Sequence, residues 1–146
     1  GVSADAFLAE VHAVDLSGLA PDQRLARAVA GLPGRRVVHT NSARAHAERV
    51  LAALGLSAHF DAVFAIEDKA LVPKPRPRAY AHVLAATGAD PRRAAMIEDT
   101  AANLVEPGRL GMATVWLAHD PGAATPDHVD ARIDDLAGFL EQMAPR

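Results

Sequence analysis

Apolar residues recur along the chain in short blocks, and their spacing alternates between helical and extended. Ser3 is placed to cap a helix carrying Phe7, Leu8, Val11 and Val14 on one face. Leu16 to Ala20 interrupts it. Pro21 suits the first turn of a second helix, with Leu25, Ala28, Val29 and Leu32 on one side. Gly31, Pro33 and Gly34 end that helix. Arg36-Val37-Val38-His39-Thr40 is short and β-branched and predicts a strand. Asn41 and Ser42 are candidate caps for the helix that follows, which turns Val50, Leu51 and Leu54 inward and closes at Gly55. Ala62-Val63-Phe64-Ala65-Ile66 is a continuous apolar run of the kind found in strands buried on both faces.

Pro77 opens a further helix through Tyr80, Val83 and Leu84, ended by Gly88. Ala94 to Ile97 predicts another strand, and a helix from about Ala101 to Leu110 follows, with Pro107 as a kink or early break. Ala113 to Leu117 is a fourth strand, and Ala118 to Asp127 reads as a loop. A short strand at Ala131 to Ile133 and a helix through Leu136, Phe139 and Leu140 complete the pattern. Strand and helix alternate from Arg36 onward, so the expected fold is α/β, a parallel sheet covered by helices. The two leading helices stand outside that alternation. They are expected to be the remainder of a helical cap over residues 1–34, with the core over residues 35–146.

Composition narrows the possibilities. Half of the 146 residues are hydrophobic and 23% are charged, which suits a globular domain. There is no cysteine, so disulfides, thiolate nucleophiles and cysteine-zinc sites are excluded. Net charge is -3, and no Lys/Arg run marks a groove for a nucleic-acid polymer or a basic face for a membrane. No apolar run approaches the ~18 residues of a membrane span. The first residues carry no basic-then-apolar leader, and a cytoplasmic location is the resulting expectation.

The chemistry sits where strands end. In an open parallel sheet, ligands bind at the carboxyl ends of the strands. Thr40 and Asn41 end the first strand, Glu98 and Asp99 end the third, and Lys74 follows the second between Pro73 and Pro75. Gathered at one sheet edge, a hydroxyl, a lysine and an acidic pair suit a phosphate ester and Mg2+. Magnesium prefers oxygen ligands and keeps several waters, so one or two carboxylates suffice. Asp99 is the first candidate ligand, and Glu98 would bind directly or hold a metal-bound water. Lys74 would neutralise phosphate charge, and Thr40 would donate a hydrogen bond to a phosphoryl oxygen. Asn41 and Arg44 are candidate substrate contacts, Asn41 being equally a helix cap. Taken singly, Glu98 and Asp99 would be helix caps and Lys74 a surface lysine; in combination with Thr40 they point to a site. Asn103 would either support the metal site or lie on a helix surface. Trp116 is expected to be core packing. The seven histidines have no paired metal spacing, and His46 is expected at the surface or against the cap.

Val37-Val38-His39-Thr40-Asn41, Val72-Pro73-Lys74-Pro75 and Met96-Ile97-Glu98-Asp99-Thr100 resemble the second, third and fourth motifs of the haloacid dehalogenase-like superfamily, in order and in strand context. Arg44 to Leu51, Phe60-Asp61-Ala62-Val63 and Asn103-Leu104 resemble its pyrimidine 5'-nucleotidase-like branch. The resemblance covers nearly the whole chain, with its core from about Arg35 to Leu117. It implies a three-layer Rossmann-like sheet with helices on both faces. It also implies a Mg2+-dependent phosphomonoesterase of small phosphorylated metabolites, nucleoside 5'-monophosphates foremost, working through an aspartyl phosphate.

The family's first motif, Asp-x-Asp, supplies the nucleophile and the acid-base from the end of a central strand. It does not occur in this sequence. The nearest imitation, Val14-Asp15-Leu16-Ser17-Gly18, has one aspartate, has serine in the acid-base position, and follows a helical pattern. The expectation is therefore a chain lacking the central first strand of its sheet, as part of a longer enzyme would, and inactive by itself. Two alternatives stand beside the phosphatase: another hydrolase of the superfamily, and a nucleophile-free module that binds phosphate or a protein.

Overall fold

A computed structural model describes residues 15–144. The helix expected over Ser3 to Val14 lies outside these residues. The chain divides into two compact units, one running to Leu71 and resuming at Leu140, the other spanning Val72–Phe139.

In the first unit, helix α1 (Gln23–Ala30) is capped by Asp22, whose carboxylate accepts the Leu25 N–H at 2.9 Å. Pro21 therefore stands just outside the helix and not in its first turn. Ala28 and Val29 are its buried face. Arg36 closes the other end, its guanidinium donating to the Val29 and Ala30 carbonyls at 3.2 Å. Strand β1 (Val37–His39) runs parallel to β2 (Ala62–Phe64), with Val38 opposite Val63. The Thr40 N–H continues the ladder to the Phe64 carbonyl at 2.9 Å. Helix α2 (Arg44–Ala53) connects the two strands. The apolar run was expected to be strand through Ile66, yet β2 stops at Phe64. The reason is hydrogen bonding: the Ala65 N–H goes to the Asp68 carboxylate and the Ile66 N–H to the Ser42 carbonyl, so neither is left for a ladder.

In the second unit, strands β3 (Ala95–Glu98), β4 (Ala113–Leu117) and β5 (Ala131–Ile133) form a parallel sheet in that order. Helix α3 (Pro77–Thr87) precedes it, opened by Pro77 and closed by Gly88 in the left-handed conformation at φ 66°. Its inner face is Ala79, Tyr80 and Val83. The single helix expected over Ala101 to Leu110 is two pieces: a 3-10 turn (Ala101–Leu104) and helix α4 (Val105–Leu110). Restarting at Val105 puts Pro107 in a first turn, where no intrahelical donor is required, so no kink is needed. Helix α5 (Leu136–Met143) spans the second boundary between the units. Among the described residues the strands thus form two parallel sheets, β1-β2 and β3-β4-β5, and no described strand pairs with both β1 and β3.

The β4–β5 connection is fastened by one buried hydroxyl. Thr114 is fully buried, its hydroxyl 2.9 Å from the His128 carbonyl and 3.0 Å from the Asp130 carboxylate, while it accepts the Asp130 N–H. Thr114→Val keeps the shape and strands those partners, so we expect a loss of about 1–3 kcal/mol in urea unfolding; an unchanged midpoint would contradict this role. Hydrogen bonds from the Thr114 N–H and hydroxyl hold the Asp130 carboxyl below its ordinary value of 3.8. The folded chain therefore binds that proton less readily than the unfolded chain does. The stabilisation is present above the unfolded value and is lost as pH falls through the folded one. Asp130→Asn should flatten the acid limb of stability below the ordinary carboxyl value of 3.8, and an acid limb identical to the parent's would refute it.

Candidate functional site

The sequence-predicted site residues fall into two groups, one in each unit. In the first, Thr40 ends the β1 ladder at a sharp turn. Its Oγ1 accepts the Ser42 N–H at 3.0 Å. That bond uses a lone pair and leaves the hydroxyl proton for a further acceptor. The Thr40 carbonyl accepts from the Lys69 ammonium at 2.6 Å. Lys69 is 3% exposed, a buried lysine that sequence reasoning passed over. A lysine in a run of charged residues after a strand carries no pattern that marks it as buried.

Helix α2 has no cap of its own. Its N-cap is Ala43, not Asn41 or Ser42, and the cap is lent from elsewhere: the Glu67 carboxylate accepts the Arg44 N–H at 3.1 and 3.2 Å. Asn41 is exposed beside this turn. The Arg44 guanidinium is engaged within its own unit, donating to Asp68 at 2.6 Å and to the Val63 carbonyl at 2.9 Å, with Glu48 at 3.5 Å. Its hydrogen bond to Asp68 holds its pKa above the ordinary arginine value.

In the second unit the structure brings Lys74 and Glu98 together. Their ion pair is 2.5 Å long, with side chains only 6% and 10% exposed. The other Glu98 oxygen accepts the Asn103 amide at 2.7 Å. Asn103 is 8% exposed, so it is a buried support and not a helix-surface residue. Its carbonyl accepts the Tyr80 hydroxyl at 2.7 Å. Burial, chiefly, and the nearby negative charges of Glu98 and Glu106 push the Tyr80 phenol well above its ordinary value, so it stays a donor. The four residues form a continuous chain from a buried phenol to a buried ammonium.

Asp99 differs from its neighbour. Its side chain is 59% exposed, with His119 at 4.0 Å and the Thr100 hydroxyl at 3.3 Å. Its main chain is held by Trp116, whose indole N–H donates to the Asp99 carbonyl at 2.9 Å. Trp116 is half-buried, with the Arg132 guanidinium 5.7 Å over its ring, so it is a brace beside Asp99 and not interior packing. Among the described residues no three or more His, Cys, Asp or Glu side chains gather into a metal-binding group. Magnesium takes one or two carboxylates and completes its shell with water. Asp99 is the carboxylate open to it; both Glu98 oxygens already have protein partners.

Asp15 sits in an exposed turn, its carboxylate turned back on the Ser17 N–H at 2.9 Å and hydroxyl at 2.8 Å. These bonds hold its pKa below the ordinary carboxyl value.

Parallel strands joined through helices, with polar side chains at their carboxyl ends, make this a Rossmann-like α/β protein. A family model described as haloacid dehalogenase-like hydrolase matches residues 6–106. The chain belongs to that family of hydrolytic enzymes. Comparison with curated proteins finds no match. Among solved structures, the L-2-haloacid dehalogenase from Xanthobacter autotrophicus with covalently bound chloropropionic acid is similar at 21% identity and a TM-score of 0.71, over 92% of this chain and 64% of that one. A HAD phosphatase from Thermococcus onnurineus is similar at 20% identity and a TM-score of 0.71, over 84% of this chain and 57% of that one. These likenesses are of fold. The chain spans between 57% and 64% of the length of these two proteins. No helix among the described residues is long and apolar enough to cross a membrane.

Proposed function

We propose that the chain carries the phosphate- and magnesium-binding residues of a phosphomonoesterase for small phosphorylated metabolites, nucleoside 5'-monophosphates foremost. The observation that carries this reading is the buried Lys74–Glu98 pair, held by Asn103, beside the open carboxylate of Asp99 at the carboxyl end of β3. Glu98 fixes the lysine, which neutralises phosphate charge as a point cation. Asp99 holds magnesium, which would supply further positive charge toward a phosphoryl group. Within the first unit, the Thr40 oxygen accepts the Ser42 N–H and keeps its proton to donate to a phosphoryl oxygen. The segments Arg44 to Leu51, Phe60 to Val63 and Asn103-Leu104 support the nucleotidase-like branch. The Glu98-Asp99 pair favours a metal-dependent phosphatase over a metal-free dehalogenase, despite the fold likeness to dehalogenases.

The sequence contains no Asp-x-Asp, so binding without turnover is expected of these 146 residues. The test is hydrolysis of an aryl phosphate with and without magnesium, by this chain and by a longer form bearing Asp-x-Asp. Magnesium-dependent hydrolysis by the longer form alone is the expected result, with nucleoside monophosphates preferred among natural esters. Hydrolysis by the 146-residue chain would overturn the assignment of the nucleophile. An inert longer form would overturn the phosphatase reading.

A further inference from the structure

The turn after β2 holds the Thr40 loop with three consecutive charged side chains. Glu67, Asp68 and Lys69 form one 3-10 turn. Each reaches back to the loop between β1 and α2: Glu67 to the Arg44 N–H, Asp68 to the Arg44 guanidinium, Lys69 to the Thr40 carbonyl. A main-chain bond from Ile66 to the Ser42 carbonyl at 3.1 Å completes the fastening.

The turn is strained. Ala70 and Leu71 lie consecutively in the left-handed region, at φ 50° and 60°. Neither is glycine, and in that region Cβ crowds the following carbonyl oxygen, an unfavourable contact for an L-residue. Leu71 is 49% exposed, so burial of its side chain does not compensate. The polar contacts of the three preceding side chains offset the cost, because left-handed residues persist where surroundings over-determine them. Strain maintained to keep a buried ammonium on one carbonyl points to a demand at that carbonyl.

We infer that Lys69 is a positioning residue for Thr40: its buried ammonium, through the Thr40 carbonyl, sets the direction of the Thr40 hydroxyl toward a phosphoryl oxygen. The inference rests on the phosphatase reading and adds a residue to it. Lys69 does not touch substrate. It fixes the peptide that carries the hydroxyl, while the Ser42 N–H occupies one of the oxygen's lone pairs, so rotation about one side-chain bond is left for the ligand to settle. Loss of the ammonium frees the peptide and spreads the hydroxyl over several rotamers.

Two measurements test it on the whole chain. The first is the affinity for inorganic phosphate of the parent, Lys69→Met, Thr40→Val and the double variant. Lys69→Met is expected to weaken binding about tenfold, the effect of one misdirected charge-assisted hydrogen bond, with Lys69→Arg restoring most of it. In the Thr40→Val background the same substitution should change affinity by less than about twofold, the signature of two residues acting through one contact. Equal losses in both backgrounds would make Lys69 merely structural and overturn the inference. The second is the Thr40 side-chain rotamer from three-bond couplings. It is a single rotamer in the parent and in Lys69→Arg, and averaged in Lys69→Met, or in Lys69→Gln should the methionine variant not fold. An unchanged single rotamer overturns the inference whether or not phosphate binds. A parent chain that binds no phosphate overturns the phosphatase reading instead.

Discussion

Lys74→Met is expected to destabilise the folded chain by about 3–5 kcal/mol, the usual consequence of removing one partner from a buried ion pair. The Glu98 side chain is 10% exposed and would keep only the Asn103 amide, so a nearly whole negative charge would be left without its cation. Replacing both partners removes that penalty. Lys74→Met with Glu98→Leu should therefore recover most of the lost stability while abolishing phosphate affinity, because attraction between buried ions barely exceeds the cost of desolvating them. Urea unfolding of the single and double variants checks this. A single variant within about 1 kcal/mol of the parent, the range of surface pairs, would contradict the burial on which the proposed phosphate site rests.

The second large effect is expected at Leu104. It is fully buried where the 3-10 turn passes into α4, directly after Asn103. Leu104→Ala should cost about 2–5 kcal/mol through lost transfer energy and the cavity left behind. It should also loosen Asn103, and with it the orientation of Glu98. Leu104→Met, nearly equal in volume, should cost under about 1.5 kcal/mol. Calorimetric melting of the two variants separates packing from any special demand for leucine. Equal losses for alanine and methionine would mean that shape, not volume, is what the site requires.

Much of this architecture was legible because its signals are local. The β-branched run at Val37-Val38, proline at the start of α3 and glycines after α3 and α4 each act within a few residues, and the elements follow them. The pairing of Lys74 with Glu98 was within reach, since Glu98 ends a strand and Lys74 lies in the loop after one, both at positions the sequence marked as candidate site residues. What escaped was set by contacts distant in sequence. β2 ends early because Asp68 and Ser42 take its next two amides, and α2 takes its cap from Glu67. Trp116 faces the Asp99 main chain because its indole N–H needs an acceptor when partly buried. Lys69 was invisible for the same reason: its partner is a main-chain carbonyl, and sequence does not mark carbonyls. No periodicity in the chain announces any of these bonds.

The measurement closest to the central claim is the effect of magnesium on phosphate affinity, in the parent chain and in Asp99→Asn. Asp99 is exposed, so the substitution should leave the fold intact and remove only the open carboxylate. If magnesium strengthens phosphate binding, phosphate strengthens magnesium binding by the same factor, about 5- to 150-fold in typical couplings. The parent should bind inorganic phosphate at least about fivefold more tightly with saturating magnesium, and Asp99→Asn should show no gain. Phosphate binding indifferent to magnesium, or an equal gain in both chains, would contradict the account.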